Sequence, residues 1–439
     1  MKLFKEKDLK KDLGFWSALS IVVGVVIGSG VFVKPGTVLS YVGGDTNLAL
    51  LAWLFGGILT LAAGLTIAEL SAHFPKTGGL YVYLEEVYGR FWGYLSGWVQ
   101  CVIYQPALIG AMGLYFGSLV AHFFFLNKIW GLWIGISVVL FLTLVNSLGV
   151  KYGGIIQVIT TITKLVPIFF IAIFGLWNGN NHIFFSSSGI SSEISMGAAI
   201  LATLFAYDGW IAAASVAGEM KNPAKTLPKA IITGLMIVII AYLSVNLALL
   251  KLLPAKAVQL SGENAASTAT EILFGSVGGK LLSIGIIISI FGGLNGKILS
   301  YPRVLFAMAK HHRFPGSNFL SFIHPKFKTP IFAVFFEVAL SIIFMSISNP
   351  DRLSEISIFA IFIFYIQAFI AVFILRKRKR TISCLYRVPL YPLTPLLAIA
   401  GSLFVVMSTI IYDPKGTLSA IALILLGLPF YWWMNRMRT

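Results

Sequence analysis

Charge is what this chain has least of. Only 11% of its 439 residues are Asp, Glu, Lys or Arg, against 58% hydrophobic ones, and that excludes an ordinary soluble domain with a charged surface. Cysteine is almost missing. Cys101 falls inside an apolar run and Cys384 in a basic loop, with no metal-ligand spacing between them, so neither a disulfide nor a metal site is expected. The six histidines, His73, His122, His182, His311, His312 and His324, are scattered over loops without an H-E-x-x-H arrangement, which leaves a polytopic membrane enzyme without a catalytic cluster. A repeated, ring-forming filter segment is absent too, so an ion channel lacks its selectivity element. No cofactor is expected.

Acidic residues are scarcer than basic ones, 16 against 33, giving a net charge of +17. Such an excess would suit nucleic acid if it formed one face. Here it is dealt out loop by loop: Lys2 to Lys11, Lys76 and Arg90, Lys151, Lys221 to Lys229, Lys310 to Lys328, and Arg376 to Arg380. The alternate loops hold only Lys128, Lys251, Lys256, Arg352 and Lys415, and the stretch 179–193 holds none. By the positive-inside rule both termini are cytoplasmic. The Arg376–Arg380 cluster is read as a topology anchor, ahead of a contact with anionic membrane lipid.

What the chain has in abundance is apolar runs long enough to span, since ~20 residues cross a bilayer. They lie at about 15–42, 47–72, 91–121, 129–150, 154–177, 196–218, 230–253, 277–309, 330–348, 354–375, 388–412 and 417–434. The expectation is an all-α polytopic membrane protein of twelve transmembrane helices.

Two runs are flawed at their centres. Gly24 to Gly36 reads GVVIGSGVFVKPG. The contiguous Gly28-Ser29-Gly30 is poor helix material, each glycine costing about 1 kcal/mol relative to alanine, and Pro35 follows within about two turns. A helix that ends near Ile27 and restarts near Val31 presents the free N–H groups of Ser29, Gly30 and Val31, suited to a carboxylate. The carbonyls near Val26 are left to accept from an ammonium. A continuous helix with a glycine packing seam is the competing reading. Span six repeats the theme at Phe205-Ala206-Tyr207-Asp208-Gly209-Trp210, where Asp208 is alternatively a proton site. Flaws in spans one and six, five apart, are what an inverted repeat of two five-helix halves would give.

Lys164 is the most improbable residue, placed near the middle of span five at a cost of about 2.5–3.5 kcal/mol. The freed carbonyls of the first break are its expected partners, making it a fixed substitute for a metal cation. A structural contact with Thr160 or Thr161 is the plainer alternative. Other polar residues are read more locally. Glu69 is taken as a headgroup-level charge, residues 81–90 as an interfacial helix, Glu219 as an ion-pair partner, residues 254–275 as a lid-length outer loop, and Asn295 as a pocket-lining group. Arg303 suits a gate ion pair or a phospholipid contact, and Glu337 has no explanation.

The ordered set IGSGVFVKPG, FPKTGGLYVYLEEVYG, LATLFAYDGW, GEMKNPAKTLPKA and LNGKILSYPRVLFAMA resembles the L-type amino acid transporter family of the amino acid–polyamine–organocation superfamily over essentially the whole chain. The resemblance implies a LeuT-type 5+5 inverted repeat, 1–178 and 179–378, with two additional helices in 379–439, in the plasma membrane of a bacterium. It implies substrate contacts at Val26, Gly28, Ser29, Gly30, Phe205, Ala206 and Asp208, with the Phe205 ring as outer gate and Lys164 in place of sodium. Sodium-independent exchange of neutral L-amino acids follows, small ones such as serine, threonine or alanine, by alternating access. A proton-coupled amino acid or polyamine carrier using Asp208 is the rival. Position 208 is glycine in many animal relatives. Heteromeric animal members carry a cysteine in the loop between spans three and four; His122 to Lys128 has none, so no disulfide-linked ancillary subunit is expected.

Overall fold

In a computed structural model of the chain, residues 14–179, 194–378 and 386–436 are described. Every regular element among them is helical. Inside a bilayer that is the expected solution, because a helix satisfies its own backbone where no water can. Ten helices are long and apolar enough to cross a membrane; the other two expected spans appear as the shorter apolar helices Met196–Ala206 and Ile331–Ile347. On the outer side of the fifth span Ile155, Ile159, Ile162, Val166 and Phe169 stand exposed, three or four residues apart. A stripe of that kind suits acyl chains rather than water. The chain is a multi-pass, all-α membrane protein. Cys384 and the loop 180–193 lie outside the described residues, as does the side chain of Glu219.

Both flawed spans are broken. The first consists of α1 (Phe15–Val26), α2 (Gly30–Val33) and α3 (Pro35–Tyr41). Next come α4 (Thr46–His73), whose N-terminus is capped by the Asp45 carboxylate accepting from Asn47 and Leu48 N–H, and α5 (Leu80–Tyr88). The third span is α6 (Arg90–Val99), a five-residue π-turn at Gln100–Tyr104, and α7 (Gln105–Phe123). Then follow α8 (Lys128–Ser147) and α9 (Val150–Asn178). The sixth span is α10 (Met196–Ala206), an irregular turn, and α11 (Ala212–Ser215). Gly209 sits in that turn at φ 110°, a conformation that only glycine adopts without strain.

The second half continues with α12 (Pro223–Leu252), α13 (Ala255–Ser261), α14 (Ala265–Ser300, bent at Gly275), α15 (Pro302–Lys310), α16 (Ser317–Leu320), α17 (Ile331–Ile347) and α18 (Pro350–Arg378). The chain closes with α19 (Leu393–Tyr412), α20 (Pro414–Leu425) and α21 (Gly427–Arg436). Around α1 pack α9, α12 and α14, while α10 packs on α3, α4, α18 and α19. The two breaks therefore meet at the centre of the bundle. Helix α13, from the lid-length loop, covers α3.

Two local readings gain partners that the sequence did not show. Glu69 is more than an end-of-helix charge. It is buried, accepts from Arg376 Nε (2.8 Å) and Nη2 (2.6 Å), and takes a third bond from Val388 N–H (2.7 Å). Leu80 to Leu84 and Val87 of α5 are likewise buried against the bundle. The reason is shared: the Arg376 end of α18 folds over α4 and α5, with Arg378 donating to Val87 O at 2.8 Å. Part of the basic cluster thus holds the fold together from within. Removing one partner of such a pair leaves a buried charge, at a cost of roughly 3–5 kcal/mol. Arg376→Ala is expected to lower the detergent-solubilised melting temperature by several degrees, and Glu69→Gln added to it to restore part of the loss. Unchanged melting of Arg376→Ala would contradict this.

Candidate functional site

At the first break the chain leaves helical geometry between Val26 and Gly30. No acceptor is found among the described residues for the backbone N–H groups of Ser29, Gly30 and Val31, and the buried Ser29 hydroxyl has no partner. Successive free N–H groups at a helix start are what an anion-binding terminus offers. The freed carbonyls point elsewhere. Lys164, fully buried, donates from Nζ to Gly24 O at 2.5 Å and to Ile27 O at 2.6 Å. Its positive charge is thus spread over the negative ends of a terminated helix. Thr160 and Thr161 do not hold it; their hydroxyls donate back to carbonyls of their own helix.

The carbonyl of Val26 meets a residue that the sequence did not single out. The Tyr242 hydroxyl of α12 lies 2.8 Å from Val26 O and 3.0 Å from Ala206 O, and donates to one or the other. It bridges the two breaks. They also touch directly, since a Cβ on Gly30 would stand 2.3 Å from Ala206 Cα; the first break also lies close to α14, where a Cβ on Gly293 would stand 2.9 Å from Gly28 Cα. Only glycine permits these approaches. Met112 covers the Gly28–Gly293 contact, and the Ser289 hydroxyl reaches Gly28 O at 3.4 Å. Ser29 and Phe205 are both buried.

Asp208 sits in the second break and is not a free carboxylate. Tyr104, at the end of the π-turn, donates to Oδ1 at 2.5 Å, and Lys297 of α14 pairs with Oδ2 at 3.2 Å. Lys297 also donates to the Tyr301 hydroxyl at 2.8 Å. Both charges are buried, and in such surroundings each is tolerable only because the other is there. The same reasoning that singles out Lys164 would have found Lys297, which lies inside the apolar run 277–309.

Asn295 is placed differently from its expected position. Its Nδ2 donates to Gly153 O and Gln157 Oε1, both at 3.0 Å, and its Oδ1 accepts from Asn146 at 2.9 Å. Its amide is spent tying α14 to α8 and α9, one helix face away from Gly293, and does not line the meeting point of the breaks. The polar character was legible; the direction was not.

Above Phe205, away from the Asp208 cluster, lies a third buried lysine. Lys34 donates to Asp351 Oδ1 (2.5 Å) and to Ser354 Oγ (3.1 Å), and its Nζ lies 5.1 Å from the centroid of the Phe205 ring. Glu337 in α17 is buried, and neither carboxylate oxygen finds a hydrogen-bond partner among the described residues.

Comparison with known proteins agrees with this architecture. The amino acid permease family profile matches residues 13–433. The chain is 57% identical over 432 residues to the serine/threonine exchanger SteT of Bacillus subtilis, covering 98% of each protein. It is 31% identical over 437 residues to the human cystine/glutamate transporter, covering 97% of this chain and 85% of that one. Similarity to the human b(0,+)-type amino acid transporter 1 is 30% over 438 residues, with 97% and 88% covered. A match along nearly the whole length, on a bundle built around two broken helices, places this chain in the amino acid permease family.

Proposed function

We propose that this chain is an exchanger of neutral L-amino acids, small ones such as serine, threonine or alanine, working by alternating access without sodium. The observation that carries the reading is Lys164 Nζ seated on Gly24 O and Ile27 O beside unpartnered amides at Ser29 and Gly30. A fixed cation where a mobile one would otherwise be needed frees the site from an ion gradient. The substrate carboxylate takes the Ser29 and Gly30 amides, and its ammonium takes carbonyls at Val26, Phe205, Ala206 and Asp208. Tyr242, now on Val26 O or Ala206 O, is displaced or shared when it does. Side-chain selectivity then falls to Met112, Ser289 and Phe205 rather than Asn295. The name of the Bacillus subtilis relative supports a hydroxylated substrate.

In this reading spans one to five (1–178) and six to ten (179–378) are the two inverted halves, 379–439 supplies the last pair of the twelve spans, and the termini are cytoplasmic. No disulfide-linked subunit is needed. A ligand that binds both facing states equally shifts no equilibrium, so obligatory exchange requires the empty carrier to reorient slowly.

Labelled L-serine uptake into proteoliposomes, in sodium-free buffer and without a proton gradient, tests this. Uptake is expected only when unlabelled amino acid is inside. Uptake into empty vesicles that demands a proton gradient would replace the exchanger with a proton-coupled carrier. Asp208→Asn is a second check: it leaves Lys297 buried without a countercharge and is expected to cut exchange at least about tenfold. Lys297→Met added to it is expected to recover folding, measured by monodispersity in detergent. Full exchange by Asp208→Asn alone would contradict a structural ion pair at the second break.

A further inference from the structure

The Lys34–Asp351 pair stands between the central site and a cavity of about 760 Å³. Its two ends are treated unequally. Lys34 is fully buried, its Nζ 5.1 Å from the Phe205 ring centroid and 5.7 Å from that of Tyr115, while the Asp351 side chain is 42% exposed and lines the cavity. Tyr115 donates to the same Asp351 oxygen at 2.7 Å. Of the other charged groups on the cavity wall, Arg352 pairs with Asp413 and Glu355 accepts from Tyr41 at 2.5 Å, while Lys128 and His122 also line it. The wall thus carries two carboxylates and two permanent cations, a balance that attracts neither free anions nor free cations strongly.

We propose that Lys34 and Asp351 form a docking subsite for the zwitterionic amino acid on its way to the central breaks, a deepening that rests on the exchanger reading above. The arriving ammonium takes Asp351 from the cavity side, where that carboxylate is already open. The substrate carboxylate then takes Lys34. One ion pair is exchanged for two, with no net charge moved into the bundle and no buried charge left unpaired at any stage. A plain amine or a plain carboxylic acid cannot do this, because either one would strand Lys34 or Asp351. Separation of the pair also releases Lys34 from its position over the Phe205 ring. Lys34 begins one helical turn beyond Gly30 on the same broken span, so a carboxylate handed from Nζ to the Ser29 and Gly30 amides travels along a single element.

A docking role and a simple latch give opposite signs. If the pair only held the cavity side closed, its loss would populate the open state and lower the half-saturating serine concentration there. Docking requires that concentration to rise on the cavity face and not on the other. The experiment measures serine exchange in right-side-out cells and in inverted membrane vesicles for the unaltered chain, Asp351→Asn and the doubly neutral Lys34→Met/Asp351→Asn. The double variant leaves no unpaired charge, so it reports even if the single one does not accumulate. Half-saturation at the cavity face is expected to rise about tenfold in the double variant, the scale of one lost charge-assisted contact, and to stay within about twofold at the opposite face. A fall at the cavity face, an equal change at both faces, or no change overturns the proposal while leaving the exchanger reading standing. Absence of exchange in the unaltered chain would overturn the exchanger reading, and this subsite with it.

Discussion

The first break depends on one ammonium group placed where a helix has been cut. Lys164 Nζ takes up the Gly24 and Ile27 carbonyls, and without it α1 would end in the apolar interior with acceptors unpaired, each costing several kcal/mol. The break in turn frees the opposite polarity, the Ser29 and Gly30 amides, on the far side of the cut. Cation and donor set are two consequences of one interruption. The surroundings let the second interruption and α14 come close: glycine at 30 against Ala206, glycine at 28 against Gly293 of α14, and Tyr242 spanning Val26 and Ala206.

Three lysines are buried among the described residues, Lys34, Lys164 and Lys297, and each solves the problem of charge in low dielectric differently. Lys164 uses helix-end carbonyls. Lys297 uses the Asp208 carboxylate, itself held by Tyr104. Lys34 uses Asp351, which still faces open space. The first two are closed arrangements that fix the two breaks to α9 and α14. The third is open on one side and is therefore the one a charged solute can disturb. This ordering, rigid at the centre and exchangeable at the rim, is what a carrier that must admit a zwitterion without admitting lone ions would need.

Much of this was written in the sequence, and for a physical reason. A polar or flexible residue in an apolar span carries a large penalty, so Gly28-Ser29-Gly30, Asp208 and Lys164 announce themselves. Lys34 and Lys297 carry the same penalty, yet each sits beside a feature that hides it: the Gly28-Ser29-Gly30 flaw and Pro35 draw attention away from Lys34, and the glycine-rich LNGK stretch draws it to Asn295 instead of Lys297. Met112 and Ser289 leave no trace in composition, because an apolar residue or a serine in a helix is ordinary. Direction is the quantity a sequence withholds. Asn295 is polar for the sake of Asn146, Gly153 and Gln157, and Glu69 serves Arg376, 307 positions along the chain; only the packing of distant helices decides either.

The most direct test of the account is the exchange rate of purified Lys164→Ala, measured beside its melting behaviour and its monodispersity in detergent. Loss of nearly all serine exchange in a variant that still inserts and runs as a single species is the expected result, because the lysine holds the break rather than the bundle. A well-folded Lys164→Ala chain that exchanges serine at the unaltered rate would contradict it.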